Sequence, residues 1–540
     1  MVAGGQRQTA PPERTALAWP FRPAPAVTST STIANLWEGA SIVRCCAASP
    51  PLALPVAAMP SLPIQNLTAI LLLAVAAAAQ ITPGHVVVTR IGTGAAALTN
   101  GSTAPFLDEY TAAGAFVQTV ALPTTGNGTQ KALTNSGTAT SEGGLTQSVD
   151  GRFLVLAGYG VAPGGASVAN SASSVVPRVI ARIALDETID TTTALSDAYS
   201  ANNVRGAASY FGLEFWTAGT ASASNNPGAR FAASLGATSS LLLNTALTNV
   251  RRVDIWNGQL YCASASGTSF GISSIGAGLP TSSNQTISLL PGFPAATGPS
   301  PYDFFFANAN TLYVADDRIT VDGGIQKWTA VGGTWALQYT VSPGSGVGCR
   351  GLSGFVSQGT ATLFATTTSN QLVKVIDTGA ASTVTLLATG AVNTALRGVR
   401  FVRTPGSLTF SGAPCGTTFG SPFIGAVGEP VVGNASFQLA TDNAPPSTLV
   451  LFAVQLGTVS PVGIALPGAP PCVLIYVLPD VLAAVSSDAF GAATVGLPIP
   501  FEALLGGTQI AVQALALDLG LVGFALPFGS TDALQIVIGN

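Results

Sequence analysis

A hydrophobic residue followed by arginine recurs along the middle of this chain. The four occurrences are Val204-Arg205, Val250-Arg251, Cys349-Arg350 and Leu396-Arg397. The arginines are 46, 99 and 47 residues apart, so the middle interval corresponds to two periods. A period of about 50 residues in a strand-rich chain is typical of one blade of a β-propeller. The recurrence therefore predicts a propeller rather than a helical or α/β fold.

Each repeat also carries a hairpin signal, in which a turn precedes a short strand that ends near alanine. Examples are Asp150-Gly151 before residues 153–157 and Asn257-Gly258 before residues 260–263. Because Asn, Asp and Gly tolerate positive φ, these dipeptides indicate tight turns between antiparallel strands. The repeats begin near residues 145, 204, 250, 301, 349 and 396, which predicts six blades. Seven blades are the alternative, if residues 84–140 form a blade of their own.

The last repeat has room for only one strand, at 399–402, before Pro405. Three apolar stretches near the start of the predicted domain, at 85–90, 106–110 and 116–122, can supply the missing strands. Such a closure ties the ring and removes its open sheet edges. We therefore assign residues 80–403 to the propeller.

The sequence changes character after the propeller. Residues 404–414 have the composition of a linker, and residues 415–540 contain few aromatic or charged side chains. Short apolar runs separated by Pro and Gly predict a small β-sandwich of about 125 residues. Cys415 and Cys472 are the cysteines of this region, and in a secreted protein they should pair, with a stabilisation of roughly 4 kcal/mol. Cys262 and Cys349 fall in non-adjacent blades and are interpreted as packing residues.

The N-terminal region contains an apparent secretion signal. Leu67 to Ala79 form a 13-residue apolar run that ends in small residues. This length fits a signal-peptide core better than a membrane span. With Met59 upstream, residues 59–79 are interpreted as a signal peptide and residues 1–58 as a disordered extension or the product of a misassigned start codon. An organellar transit peptide is the alternative, and the main prediction is an extracellular or cell-surface protein without a membrane span.

The charge of the chain argues against one class of partner. Charged residues make up 8% of the sequence, and the net charge is −4. Proteins that bind nucleic acid neutralise runs of phosphates with clustered Lys and Arg. No basic patch of that size occurs here, so a nucleic-acid partner is excluded by the sequence.

The candidate binding residues are the four recurring arginines. Because equivalent positions in a propeller are related by rotation, Arg205, Arg251, Arg350 and Arg397 could form a ring at the central channel and hold a carboxylate or sulfate group. The alternative is structural, with each arginine bridging blades through backbone carbonyls or a nearby aspartate.

A second candidate site lies in an acidic loop that contains Asp316, Asp317 and Asp322. Acidic loops with glycine can bind Ca²⁺ through oxygen ligands, although this spacing matches no standard calcium motif. The alternative is that the aspartates cap a turn. Ca²⁺ is the one candidate cofactor that the sequence offers.

The sequence predicts no catalytic residues. His85 is the only histidine, so a Ser-His-Asp arrangement would have to use it. No nucleophile elbow, phosphate loop, zinc-protease motif or dinucleotide fingerprint accompanies it. A polysaccharide hydrolase would need two acids flanking a sugar bond, and the sequence alone does not show which acids approach each other.

Several segments together carry a family resemblance. They are residues 88–92 with 106–110, residues 141–152, residues 313–317 with 323–328, Cys415-Gly416, residues 468–472 and residues 535–538. In these segments the chain resembles a family of uncharacterised secreted proteins of planctomycetes and similar high-GC bacteria. The resemblance implies secretion, a propeller-like fold and an appended C-terminal domain, and it brings no assigned activity.

These observations predict a secreted, non-catalytic propeller protein with a role in extracellular binding or cell-envelope structure. An extracellular glycan or a cell-surface protein is the expected partner, and the oligomeric state is left open. The alternative is an extracellular polysaccharide hydrolase or lyase that uses carboxylates in the propeller channel. A calcium-stabilised structural protein is a third interpretation. All of these rest on architecture, which constrains function weakly.

Overall fold

The computed structural model describes residues 80–320, 322–500, 502 and 505–539. The predicted extension at 1–58 and signal peptide at 59–79 lie outside the described residues. The regular secondary structure of the described residues is almost entirely β-strand, and short 3-10 helices occur at Val168–Asn170 and Ala223–Asn225. Within these residues no helix is long and apolar enough to cross a membrane. The predicted all-β class is confirmed.

The first domain contains 26 strands, most of them four to nine residues long. In chain order they are β1 (Val86–Ile91), β2 (Ser102–Thr103), β3 (Pro105–Tyr110), β4 (Phe116–Ala121), β5 (Asn135–Ser136), β6 (Leu145–Gln147), β7 (Phe153–Tyr159), β8 (Arg178–Ala184), β9 (Ile189–Leu195), β10 (Val204–Ala208), β11 (Phe215–Gly219), β12 (Gly228–Ala232) and β13 (Leu241–Leu242). They continue as β14 (Arg252–Trp256), β15 (Gln259–Ser266), β16 (Ser269–Ile275), β17 (Ile287–Leu289), β18 (Pro301–Asn308), β19 (Thr311–Asp316), β20 (Gly324–Val331), β21 (Thr334–Val341), β22 (Cys349–Ser357), β23 (Thr360–Thr367), β24 (Gln371–Ile376), β25 (Val384–Thr389) and β26 (Ala395–Phe401).

Twenty-four of these strands form six four-stranded antiparallel sheets in the part of the chain that the structure describes, and β2 and β5 pair with each other. Five sheets use four consecutive strands each, namely β6–β9, β10–β13, β14–β17, β18–β21 and β22–β25. The sixth has the order β26-β1-β3-β4, so residues 84–140 contribute three strands to a sheet that the end of the domain completes. The register places Val86 opposite Phe401 and Ile91 opposite Ala395.

The first strand of each sheet faces the axis of the domain. Contacts run from β6 through β10, β14, β18 and β22 to β26, and β26 returns to β6. Apolar cores fill the spaces between neighbouring sheets. One of them joins Ala315 and Ile325 of one sheet to Leu352 and Leu363 of the next. This is a closed ring of sheets, and it confirms the predicted propeller.

The turn chemistry agrees with the hairpin signals. Asn257 and Gly258, which connect β14 to β15, have φ values of 48° and 70°. Both lie in the left-handed region that a tight hairpin of this type requires. Cys262 and Cys349 are free thiols with no solvent exposure, so they pack in the interior as expected.

The second domain consists of ten strands. They are β27 (Ser407–Ser411), β28 (Phe423–Val427), β29 (Gln438–Asp442), β30 (Leu449–Leu456), β31 (Ile464–Ala465), β32 (Leu474–Ile475), β33 (Val481–Ser486), β34 (Ala493–Gly496), β35 (Gln509–Leu517) and β36 (Phe528–Val537). A five-stranded sheet has the order β27-β36-β35-β30-β33, and a three-stranded sheet has the order β28-β29-β34. One apolar core, which includes Leu439, Phe452 and Val512, lies between the two sheets. The domain is therefore a β-sandwich.

The sandwich begins earlier than its composition suggests. Strand β27 lies inside the stretch 404–414 that was expected to be a linker, and it pairs along its whole length with β36. Residues 407–411 do alternate between polar and apolar, but the strand is short, lies between Pro405-Gly406 and Gly412, and has mostly exposed side chains because it is an edge strand. Only residues 402–406 separate the two domains. The predicted disulfide between Cys415 and Cys472 is confirmed.

Candidate functional site

Six residues occupy equivalent positions near the start of the first strands. They are Gly143, Arg205, Arg251, Tyr302, Arg350 and Arg397. The register supports this equivalence, because the next residue in three sheets, Gly206, Arg252 or Asp303, lies opposite an alanine of the second strand. The sequence repeat thus places four arginines and one tyrosine at the same end of the axis. We call these five side chains the arginine cluster.

The next position along each first strand is glycine in four of the six sheets. An added Cβ on Gly144 would lie 1.3 Å from Nη1 of Arg252, and one on Gly398 would lie 2.4 Å from the backbone nitrogen of Leu145. The inner strands can therefore approach one another closely only because these positions lack side chains. The two sheets that depart from glycine carry Arg252 and Asp303 instead.

Arg252 and Asp303 fill the axis directly behind the arginine cluster. Nε of Arg252 lies 3.4 Å from Oδ2 of Asp303, and both side chains are almost fully buried. Nη1 of Arg252 also donates a hydrogen bond to the carbonyl of Arg205 at 2.7 Å. Burial raises the pKa of Asp303 to about 6, and the charge of Arg252 opposes that rise.

Tyr302 and Asp317 bring two of the arginines together. The guanidinium carbons of Arg251 and Arg350 lie 4.3 Å and 5.8 Å from the centre of the Tyr302 ring. The carboxylate of Asp317 lies 3.9 Å from Nη1 of Arg251 and 3.8 Å from Nε of Arg350. Nη1 of Arg251 also donates to Ser300 Oγ at 2.8 Å. Cation–π and ionic contacts hold both guanidinium groups around one aromatic ring.

Arg205 and Arg397 complete the cluster from the other side. Nη1 of Arg205 donates to Oδ1 of Asn249, and Arg397 donates to the carbonyl of Gly137 at 2.8 Å. Burial lowers the pKa of each arginine to about 10, so both stay protonated at neutral pH. Among the described residues, the buried Nε atoms of Arg205, Arg350 and Arg397 have no hydrogen-bond partner.

Glu142 lies near the cluster and is a buried acid that no motif of the sequence singles out. It is 1% exposed and accepts hydrogen bonds from the Tyr159 hydroxyl at 2.5 Å, Asn203 Nδ2 at 2.6 Å and the Ser136 amide at 2.7 Å. Burial raises the pKa of Glu142, and these hydrogen bonds oppose the rise. Its neighbours come from three separate parts of the chain, so sequence reading could not identify them.

The acidic loop is occupied by cationic and amide groups of the protein. Asp316 is fully buried and accepts from Arg318 Nε at 2.9 Å, Ser300 N at 2.9 Å and Gln326 Nε2 at 3.0 Å. Asp317 faces the arginine cluster, while the side chain of Asp322 is 56% exposed. No group of three or more His, Cys, Asp and Glu residues suited to a metal ion occurs within the described residues. Asp316 and Asp322 thus share Arg318 as a cationic neighbour, whereas Asp317 lies between Arg251 and Arg350.

His85 lies outside this region. Its Nδ1 is 2.6 Å from Oε1 of Glu109, which also accepts from the amide of Thr82 at 2.9 Å. Glu109 is itself 1% exposed and belongs to β3 in the closing sheet. The histidine therefore takes part in a structural contact at the opposite end of β1 from Ile91.

Comparison with known proteins gives structural likeness only. No protein-family model and no curated protein sequence matches the chain. Similar solved structures include the periplasmic gluconolactonase PpgL of Pseudomonas aeruginosa, with 11% identity, coverage of 76% of this chain and 100% of that chain, and a TM-score of 0.33. The Cps50 (Swd1) β-propeller domain of Myceliophteria thermophila has 12% identity, covers 56% and 83%, and has a TM-score of 0.28. AztD of Citrobacter koseri has 10% identity, covers 58% and 97%, and has a TM-score of 0.29.

Proposed function

We propose that this protein is a secreted, non-catalytic binding protein whose arginine cluster holds the carboxylate or sulfate groups of an acidic extracellular glycan. The observation that carries the proposal is the gathering of Arg205, Arg251, Arg350 and Arg397 at one end of the propeller axis. The apolar run at 67–79 and the disulfide between Cys415 and Cys472 support an extracellular setting.

The charge balance of the cluster supports an anionic ligand. Four guanidinium groups accompany two carboxylates, those of Asp317 and Glu142, so the cluster carries excess positive charge. Glu142 is buried and accepts three hydrogen bonds from other groups. Its interaction with the arginines is therefore electrostatic, without a direct hydrogen bond. An anion that reaches this end of the axis would meet Arg251 and Arg350, whose side chains are 18% and 23% exposed, while Arg397 is buried and donates to backbone carbonyls.

The geometry of the donors supports the same ligand class. Guanidinium groups bind carboxylate, sulfate and phosphate oxygens through paired N–H donors in a fixed plane. Tyr302 stacks against Arg251 and Arg350, which limits the rotation of both groups. Arginines that are already ordered lose less conformational entropy when a ligand binds.

Titration calorimetry with the mature chain tests the proposal directly. We expect dextran sulfate oligosaccharides to bind and unsulfated dextran of the same length not to bind. The affinity should fall as NaCl rises from 50 to 300 mM, because the contacts are ionic. An oligogalacturonate series tests whether carboxylates substitute for sulfates.

Two arginine variants make the test specific to the cluster. Arg350→Gln should lower the affinity for dextran sulfate at least tenfold, because one ordered cation is lost. Arg152→Gln is the matched control, since Arg152 is 53% exposed and pairs with Asp150 elsewhere on the propeller. Equal binding by Arg350→Gln and wild type, or equal binding of sulfated and neutral dextran, would contradict the proposal. Release of new reducing ends from either polysaccharide would favour the hydrolase alternative instead.

A further inference from the structure

A cavity lies between the propeller and the sandwich, at the end of the propeller axis opposite the arginine cluster. It has a volume of about 280 Å³. Its propeller wall comes from the far ends of first strands β14, β18, β22 and β26, and its other wall comes from residues 428–436 of the sandwich. Arg397 and Arg400 lie on the same strand, about 10 Å apart along its axis, so this site is distinct from the arginine cluster.

The propeller wall of this cavity is aromatic. Trp256, Phe305 and Phe355 line it and are each partly exposed. Trp256 stacks on Phe306 with ring centroids 4.7 Å apart, and Phe355 packs on Phe401 at 4.5 Å. These buried partners fix the orientation of the exposed rings. The cavity therefore presents rigid aromatic surfaces, which favour a planar apolar ligand.

The same wall carries two guanidinium groups, those of Arg400 and Arg403. Nη1 of Arg400 pairs with Oδ2 of Asp254 at 2.8 Å. Arg403 donates from Nη2 to the carbonyl of Ser148 at 2.8 Å, and its buried Nε has no hydrogen-bond partner among the described residues. Burial lowers the pKa of Arg403 to about 10, and the nearby charge of Arg400 adds to that effect. Asp254 is the one carboxylate among the described residues that line the cavity, and Asp150 acts on Arg403 from outside it.

The sandwich forms the wall of the cavity that lies opposite the aromatic wall of the propeller. Val431 and Val432 line the cavity, and the backbone of Val432 is held by a hydrogen bond to the carbonyl of Gly539 at 2.7 Å. Ser436 also lines the cavity and is exposed. The cavity exists only because both domains contribute walls, and small-molecule sites often form at such domain interfaces.

We propose that this interdomain cavity binds a small planar aromatic carboxylate. The ring system would lie against Trp256, Phe305 and Phe355, and its carboxylate would meet Arg403 and Arg400. The volume is at the lower end of the usual range for ligand pockets and suits a bicyclic aromatic acid. A neutral molecule without an acceptor at this position would leave the buried Nε of Arg403 without a hydrogen-bond partner.

The test compares two probes of matched shape, 2-naphthoate and 2-naphthylmethanol, by titration calorimetry on the mature chain. We expect the carboxylate to bind wild type at least tenfold more tightly than the alcohol. Ser436→Trp fills the cavity from the sandwich side without altering the propeller wall, so it should weaken both probes at least tenfold. Arg403→Gln should weaken naphthoate about tenfold and leave the alcohol unchanged, since only the carboxylate uses the cation.

Further variants keep the test decisive. If circular dichroism shows that Arg403→Gln does not fold, Asp254→Asn is the second charge variant, and it should tighten naphthoate several-fold by freeing Arg400. Arg350→Gln is the site control, because it alters the arginine cluster and should leave naphthoate binding unchanged. The proposal is overturned if wild type binds neither probe, if it binds both equally, if Ser436→Trp has no effect, or if Arg350→Gln abolishes naphthoate binding.

Discussion

The two domains of this molecule are both all-β, but they differ in how many charged residues they contain and in how those charges are paired. Residues 80–403 contain sixteen Lys and Arg and fifteen Asp and Glu, whereas residues 404–540 contain seven acids and no Lys or Arg. All twelve ion pairs in the described part of the chain join residues between 85 and 400. The propeller buries paired charges, and the sandwich relies on apolar layers and one disulfide.

The difference follows from topology. In the propeller, six first strands converge on one axis, and the space between them is too narrow for large side chains except where glycines leave room. That room is filled by Arg252 and Asp303, which satisfy each other's charge. In the sandwich, two sheets meet over a broad face, where Leu439, Phe452 and Val512 pack without polar partners. The first strands that meet at the propeller axis thus leave room for buried polar side chains, whereas the flat interface between the two sheets of the sandwich is filled by apolar ones.

The largest expected effect comes from the disulfide of the sandwich. Replacing both Cys415 and Cys472 with alanine should cost the sandwich about 4 kcal/mol, because the bridge closes a segment with a sequence separation of 57. The sandwich contains no tryptophan, while Trp216, Trp256, Trp328 and Trp335 all lie in the propeller. Urea unfolding followed by circular dichroism should therefore show a weakened transition, while the midpoint from tryptophan fluorescence stays unchanged. Equal shifts in both signals would mean that the domains unfold as one unit.

The next effect concerns the buried charge of the propeller. The folded pKa of Asp303 is about 6, against an ordinary 3.8. A raised carboxyl pKa stabilises the folded state at low pH, and that contribution is lost as pH rises from about 4 through 6. The free energy of propeller unfolding should thus lose about 3 kcal/mol from this group over that interval. Tryptophan fluorescence in urea from pH 4 to 7 measures the slope.

Asp303→Asn supplies the comparison for that slope. The amide does not titrate, so the difference in unfolding free energy between wild type and Asp303→Asn should change with pH between 4 and 6.5. Other carboxyl groups contribute equally to both proteins and cancel in the difference. A difference that stays constant over this interval would refute the assignment of a raised pKa to Asp303.

A smaller effect is expected at the rim of the propeller. Asp377 accepts from Lys327 Nζ at 2.7 Å and Tyr339 Oη at 2.5 Å. Burial opposes ionisation, but these hydrogen bonds and one from Tyr313 lower the pKa of Asp377 to about 2. The resulting stabilisation, about 2 kcal/mol, is present at neutral pH and is lost as pH falls from about 4 through 2.

Asp377→Asn should therefore destabilise the propeller at pH 7 and match wild type near pH 2. Asp322→Asn is the matched control, because the side chain of Asp322 is 56% exposed and should contribute little. Urea titrations followed by tryptophan fluorescence give both comparisons. A loss at pH 2 as large as that at pH 7 would show that packing, rather than charge, explains the effect.

The smallest effect tests how strongly the two domains are joined. Oε2 of Glu502 in the sandwich accepts a hydrogen bond at 2.8 Å from the amide of Gln358 in the propeller, at an exposed site. Glu502→Gln should change either unfolding transition by less than about 1 kcal/mol. Differential scanning calorimetry gives the midpoints of both transitions. A larger shift in both would show strong coupling across the interface.

Local patterns in the sequence were sufficient to predict the propeller. Hairpin turns such as Asn257-Gly258 are encoded by neighbouring residues, and the arginine recurrence reports the spacing of the first strands. The closing sheet was also predictable, because a single strand before Pro405 needs partners and three strands near residue 85 lack them. The disulfide followed from the presence of only two cysteines in the sandwich.

Other features depend on contacts between distant segments and left little local signal. Strand β27 has a polar–apolar alternation of only five residues between Pro405 and Pro414, so its place as an edge strand is set by its pairing with β36. The position of Tyr302 among the arginines breaks the recurrence, so a search for repeated arginine passes over it. The interdomain cavity joins Trp256 to Val432, and no property of either segment predicts that they meet.

The register of β26 against β1 also determines on which side of the propeller the chain enters and leaves. It therefore determines which end of the propeller would face a surface to which the protein is attached. Val86 and Phe401 are opposite each other, and the backbone nitrogen of Val402 donates to the carbonyl of His85 at 2.8 Å. The chain therefore enters the ring and leaves for the sandwich on the same side, while Arg397 lies toward the other end of β26. A tether on either the entry segment or the sandwich would turn the arginine cluster away from the anchoring surface.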